Sequence, residues 1–193
     1  MYMRKKQFKD CVFRGDRHTI KAHSTAIIKH ADLGDNVRIY EFALIGFEGF
    51  QYIRQADGTL ISLGHTGRCF IGNNVSIHQH SSVGRGIREY EEINGKIYRN
   101  TVIMDNSKID SYVQVGHGVI IHESTLVCAG VIIGGHSEIG SQCYIGEGAN
   151  IRNRIKIGDN VMIGMGSNVV SDIPDNVVVW GNPARVMRDN KFH

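Results

Sequence analysis

From Ile103 to Ile173 the sequence repeats every six residues without a slip. Twelve consecutive hexads open with an aliphatic side chain: Ile103, Ile109, Val115, Ile121, Val127, Ile133, Ile139, Ile145, Ile151, Ile157, Ile163 and Val169. The fifth position of each hexad is small or apolar, as at Ser107, Val113, Thr125, Ser137, Cys143 and Ala149. Glycine follows the aliphatic at positions 116, 134, 140, 146, 158 and 164. A period of six is neither helical nor a simple strand alternation. It fits short strands separated by turns and wound into a triangular coil, three hexads to a coil. Coils of this kind stack at about 4.8 Å, the strand-pairing distance. The aliphatic and the fifth residue then point into a narrow prism, and stability comes from stacking neighbours rather than from any one coil. Glycine is expected at the corners, for dihedrals that other side chains resist.

The same beat runs through Ile27, Leu33, Ile39 and Ile45, stops at Gly46, and resumes at Ile71, Ile77 and Val83. Two insertions interrupt it. Residues 47–70 read as a projecting hairpin with a tight Asp57-Gly58 turn. Residues 88–100 are polar, carry Glu89, Glu91, Glu92 and Asn94-Gly95, and suggest a second short hairpin or loop. Loops that interrupt a rigid scaffold are where function concentrates. Residues 1–20 carry no clear repeat, so a short strand or helix leading into the coils is the expectation there. Past Pro174, residues 175–193 read as a cap: a short strand, a turn at Gly181-Asn182-Pro183 and a basic tail. The reading is one all-β domain over residues 1–193, with coils at 26–46, 71–88 and 103–174, roughly six in all.

Composition narrows the function classes. A net charge of +3 and a pI of about 8.7 give no nucleic-acid-binding footprint. Cys11, Cys69, Cys128 and Cys143 lack metal-type spacing and read as reduced thiols of a cytoplasmic protein. The first thirteen residues lack the apolar run of a signal peptide, and no stretch approaches a membrane span.

The hexads resemble those of the hexapeptide-repeat acyltransferases, whose coil is a left-handed parallel β-helix; the handedness comes with the resemblance. Two blocks narrow it. One is Gly46-Phe47-Glu48-Gly49-Phe50-Gln51-Tyr52 with the Asp57-Gly58 hairpin, Gly67-Arg68 and Ile71-Gly72-Asn73-Asn74-Val75. The other is Ile109-Asp110-Ser111-Tyr112-Val113-Gln114-Val115-Gly116-His117-Gly118. Together they look like the N-acyltransferases that acylate a UDP-linked glucosamine in lipid A synthesis, over residues 27–170. Those enzymes add an N-terminal domain and C-terminal helices, which the reading does not expect here. The segment Trp180-Gly181-Asn182-Pro183-Ala184-Arg185-Val186-Met187-Arg188 instead looks like the end of acetyl-CoA-dependent hexapeptide enzymes.

The resemblance implies a homotrimer with sites between neighbouring prisms and an acyl donor, read as acyl-CoA and specifically acetyl-CoA. The acceptor is a nucleotide-linked amino sugar for cell-surface polysaccharide (lipopolysaccharide, O-antigen) assembly. No metal, nucleic-acid partner or membrane insertion is expected. His117, flanked by Gly116 and Gly118, is the candidate general base: a neutral imidazole suits removal of a proton from an attacking amine. Eighteen residues on, Gly135 lies on the same wall, and its N–H is the candidate oxyanion donor. Gly134 is expected to leave room for the donor. Asn153 and Arg154 follow one coil higher, with Arg154 a candidate for a phosphate or the pantetheine arm. The resemblance casts Phe50 and Tyr52 as stacking on the base; plain packing of the hairpin on the prism is the bland alternative. Arg185 and Arg188, with Lys191, are candidates for the CoA phosphates, against a solvated cap. Two other classes stay open. His117 and His122, with His78 and His80 upstream, resemble the zinc ligands of gamma-class carbonic anhydrases. A non-catalytic solenoid serving as an interaction surface is the other.

Overall fold

Three long sheets of very short strands form the walls of a prism in the computed structural model, which describes residues 8–93 and 96–191. The first sheet has eight strands, the second seven and the third nine. Strands within them pair in parallel, except the last two of the third sheet. Register follows the eighteen-residue step: Val115 pairs with Ile133, Ile133 with Ile151, and Ile151 with Val169. The hexad aliphatics from Ile103 to Val169 are all buried, and the fifth positions are buried beside them. Burial explains why Ser107, Thr125 and Ser137 are tolerated inside: each hydroxyl donates to a backbone carbonyl, of His122, Gly140 and Arg152. A buried hydroxyl without such a partner would cost free energy.

The glycines after the aliphatics serve a purpose different from the expected one. At 116, 134, 140, 146, 158 and 164 the backbone is not left-handed. What excludes a side chain is the coil above: a Cβ on Gly134 would lie 2.4 Å from Asn153 N, and one on Gly116 would lie 2.7 Å from Gly135 N. The left-handed corner residues sit elsewhere, at Gly118, Gly130, Gly148 and Gly166 and at asparagines such as Asn106 and Asn160.

The prism also starts earlier than the sequence reading placed it. The strands Phe8–Lys9, Val12–Phe13 and Lys21–Ala22 already pair with the three walls, so the stack exceeds six coils. Spacing hid this first turn. Phe13 pairs with Leu33 and Ala22 with Ile39, steps of twenty and seventeen residues, and a 3-10 turn at Arg17–Thr19 interrupts it. The beat is also out of phase at Ile27, which is 48% exposed while Ile28 is fully buried and pairs with Ile45.

Both insertions form hairpins outside the three walls. Tyr52–Arg54 pairs antiparallel with Leu60–Ser62, and Gly58 takes the positive φ (87°) that the turn needs. Tyr90–Ile93 pairs with Lys96–Arg99; the Asn94-Gly95 turn lies outside the described residues. Arg68, closing the first insertion, donates to the buried Asp32 at 2.8 Å, and Arg14 reaches the same carboxylate at 2.9 Å. At the far end Val177–Gly181 continues the third wall over Met162–Ile163, and Ala184–Asp189 folds back on it. The four cysteines form no disulfide. No helix among the described residues is long and apolar enough to cross a membrane.

Candidate active site

The bases of both insertions meet at one corner of the prism, between the first wall and the second. His117 occupies that corner, just after the strand Gln114–Val115. From the first insertion comes Gly49, so close that a Cβ there would lie 3.0 Å from His117 Nδ1. From the second comes Arg99, whose Nε donates to Gly118 O at 3.1 Å and whose guanidinium pairs with Glu138 at 3.3 Å. From the coil above comes Gly135, where a Cβ would lie 2.6 Å from His117 Nε2. The two faces of the imidazole are thus distinguished: Nδ1 looks toward the first insertion, and Nε2 toward the Gly135 backbone. Among the described residues, the Gly135 N–H has no backbone acceptor.

Two further histidines pack edge-on against His117. His65 lies 5.4 Å away between ring centroids and His136 lies 4.9 Å away. Burial, then His65 and Arg154, hold the His117 imidazolium in disfavour, so its pKa is lowered to about 4. Burial, then His117, Arg154 and Arg99, lower His136 to about 3. Burial also lowers His65, while the nearby Glu48 carboxylate opposes the shift. Glu48 accepts the backbone N–H of His65 at 3.0 Å and lies 3.7 Å from Arg85. Its own pKa is lowered, chiefly by that backbone hydrogen bond. An imidazole kept neutral at physiological pH has a bare nitrogen ready for a proton, and its lowered pKa makes it a weak base that releases that proton readily.

The structure brings His117, Gly135 and Arg154 to this one corner, two coils apart at most. Arg154 borders a recess of about 210 Å³ together with Arg99, His136, Glu138 and Lys156. Gly134 is there too, but its missing side chain is filled by the Asn153 backbone, so it offers a ligand little room. Phe50 and Tyr52 stand just past Gly49, with ring centroids 4.9 Å apart. Phe50 is 88% exposed, so it does not pack on the prism as the bland reading supposed. Arg185 and Arg188 are not brought to this corner. They lie on Ala184–Asp189 in the third wall, bonded to the carbonyls of Ala184 and Asp189. The histidines of the zinc reading are likewise dispersed within the chain. His78 stacks on Tyr40, His80 lies between Phe42 and Tyr112, and His122 bonds to Glu138 at 3.2 Å. Sequence reasoning missed His136, His65, Glu48 and Arg99. His136 was within reach of the eighteen-residue step, being next to Gly135; the others depend on the paths of the insertions.

Fold and corner together define a left-handed β-helix protein of the hexapeptide-repeat class. The bacterial transferase hexapeptide (six repeats) family profile matches residues 100–135 and 136–171. Residues 100–171 thus carry the repeats of this family. It is 32% identical over 157 residues to a probable UDP-3-O-acylglucosamine N-acyltransferase 2, mitochondrial, of Arabidopsis thaliana, covering 81% of this chain and 48% of that protein. It is 36% identical over 164 residues to a UDP-3-O-acylglucosamine N-acyltransferase of Rhizobium meliloti (strain 1021), covering 85% of this chain and 44% of the relative. The chain thus spans about half the length of the curated relatives it matches. Its fold is that of UDP-N-acetylglucosamine O-acyltransferase from Moraxella catarrhalis, with a TM-score of 0.80 at 23% identity over 98% of this chain and 72% of that one. LpxA from Acinetobacter baumannii superposes with a TM-score of 0.78 at 24% identity, covering 95% and 67%.

Proposed function

We propose that the chain is an acyltransferase that forms an amide on the amino group of a nucleotide-linked sugar, with His117 as general base. The observation that carries this reading is the pairing of a neutral, buried imidazole with the Gly135 backbone at its Nε2 face. The named relatives, which act on an acylated UDP-glucosamine by their names, support the acceptor class. In the proposed reaction the amine nitrogen attacks the thioester carbonyl carbon while His117 Nε2 takes its proton. The carbonyl oxygen becomes an oxyanion and accepts from the Gly135 N–H. The C–S bond then breaks, the amide forms, and the proton passes from His117 to the departing sulfur. The low pKa suits the second half of this cycle: an imidazolium beside Arg154 and His65 gives up its proton readily.

Phe50 and Tyr52 are proposed to hold the base of the nucleotide. Stacking of a base on an aromatic ring is worth about 1–3 kcal/mol. Arg154 is proposed to meet a phosphate or the pantetheine arm, with Gly134 contributing backbone only. The proposed donor is an acyl-CoA, acetyl-CoA in particular, and the proposed setting is the cytoplasm. Assembly as a homotrimer is part of this proposal, and exposed apolar residues on and beside the first wall, Ile27, Phe42, Leu44, Tyr112 and Ile132, offer it a surface. In such an assembly Arg185 and Arg188 would serve a donor only from a neighbouring chain. Removing everything after Ile173 is a poor test of that role, because Val177, Val178 and Val179 are buried against the last coil. The substitutions Arg185→Ala and Arg188→Ala test it without stripping the core. The function itself is tested by thiol release from acetyl-CoA and from an acylated carrier protein, each against a panel of nucleotide sugars bearing amino or only hydroxyl groups. The expected result is release with acetyl-CoA and an amino sugar. Release only with carrier protein would reassign the donor, and release only with hydroxyl acceptors would overturn amide formation.

A further inference from the structure

His65 is a costly residue where it stands. Its side chain is fully buried, in a loop that could have supplied an aliphatic, and its nitrogens make no hydrogen bond of good geometry among the described residues. Burying an imidazole costs free energy unless its nitrogens find hydrogen-bond partners. Its surroundings are specific. A Cβ on Gly49 would lie 3.0 Å from His117 Nδ1 and 3.1 Å from His65 Nε2, so both nitrogens border the same side of Gly49. The other nitrogen of His65, Nδ1, lies 4.0 Å from Glu48 Oε1, the oxygen that also takes the His65 backbone N–H. Arg85 stands against that same oxygen at 3.7 Å.

We infer that Glu48 and His65 form a positioning relay that holds His117 in the tautomer carrying its proton on Nδ1. The inference rests on His117 acting as the base. A neutral imidazole has one N–H and one bare nitrogen. To take a proton at Nε2, beside Gly135, His117 must keep its hydrogen on Nδ1, and that hydrogen needs an acceptor. No direct hydrogen bond joins the two rings, so the relay takes one water beside Gly49, accepting from His117 Nδ1–H and donating to His65 Nε2. His65 can accept there only if its own hydrogen is on Nδ1, the side drawn by the ionised Glu48. The order is therefore fixed end to end: carboxylate, His65, water, His117, reacting amine. No proton is consumed by the relay itself, since it selects a tautomer. Gly49 is required because a side chain at that point would separate the two rings.

The test reads the tautomer directly, by nitrogen-15 NMR of the imidazoles in the full chain at pH 7, alongside turnover. In the unmodified protein His117 is expected to show a protonated Nδ1 and a bare Nε2. The substitution His65→Leu should move His117 toward the opposite tautomer and lower kcat by about tenfold or more, with KM changed by less than about twofold. His65→Gln, whose amide can both accept and donate, should restore much of both. Glu48→Gln and Gly49→Ala should shift the tautomer in the same direction as His65→Leu, and they read the relay even if His65→Leu does not fold. A His117 protonated on Nε2 in the unmodified protein would overturn the relay. So would an unchanged tautomer in both Glu48→Gln and Gly49→Ala. If instead the NMR result holds while no acceptor supports turnover, the relay stands and the proposed reaction falls.

Discussion

The uninterrupted coils of residues 103–173 and the interrupted coils of residues 8–99 share the same walls but differ in what each position must satisfy. In the regular half the requirement is uniform: an aliphatic inward, a small residue beside it, and bare backbone where the next coil descends. In the interrupted half the steps slip, two hairpins leave the walls, and a buried carboxylate, Asp32, is held by two arginines. The candidate site lies at the seam. Its proposed base and backbone donor, His117 and Gly135, come from the regular half, while His65, Glu48 and Gly49 come from the first insertion. The difference teaches that the rigid coil sets distance and direction, and that the irregular insertions supply the groups which tune the imidazole.

Substitutions can break this comparison at graded cost. The largest effect is expected inside the regular half. Ile133→Asp places an unpaired charge at a site 1% exposed and should leave no folded protein, judged by circular dichroism and solubility. The outward Leu126 of the third wall, 39% exposed, should accept Asp with the strand signal intact. Next comes Gly134→Ala, which drives a methyl into the Asn153 backbone and should destabilise by about 1–3 kcal/mol in denaturant titrations. The matched control in the first insertion is Gly64→Ala, where nothing lies within 4 Å and little change is expected.

Smaller effects probe the seam. The folded values for His117 and His136, about 4 and about 3, lie below the ordinary imidazole value. As pH falls from about 6.5 toward 3, the unfolded chain binds protons that these rings refuse in the fold. Stability should therefore decline across that window and flatten below it. A melting series from pH 7 to 4 should show this slope reduced in a His117→Gln, His136→Gln double variant. A double variant with an unreduced slope would mean that the acid sensitivity lies elsewhere. The smallest effect on the fold belongs to Phe50→Ala, which should leave the melting temperature unchanged and raise KM for the nucleotide sugar more than it lowers kcat. An unchanged KM would leave Phe50 without a role in base binding.

Legibility in the sequence followed the same divide. Where the step is eighteen residues, the inward residues and the His117–Gly135 neighbourhood could be read by counting. The first coil could not, because its register steps of twenty and seventeen mask the beat and its inward residues set Phe8, Phe13 and Ala22 beside Ile20. The glycines after the aliphatics were visible, but their cause was not. Dihedral freedom and close approach leave the same letter in the sequence, and only the Asn153 and Gly135 backbones show which one operates. His65 left no signal, since a hairpin's return path is set by contacts such as Arg68 with Asp32 and not by period.

The central claim is that His117 at this seam is the group that moves the proton. It is tested most directly by kcat of His117→Ala in acetyl-CoA-dependent acylation of a working amino-sugar acceptor, with the variant's fold verified. The account predicts a loss of about 10²–10⁴-fold with the KM for the nucleotide sugar little changed. Turnover within about twofold of the unmodified protein would contradict it.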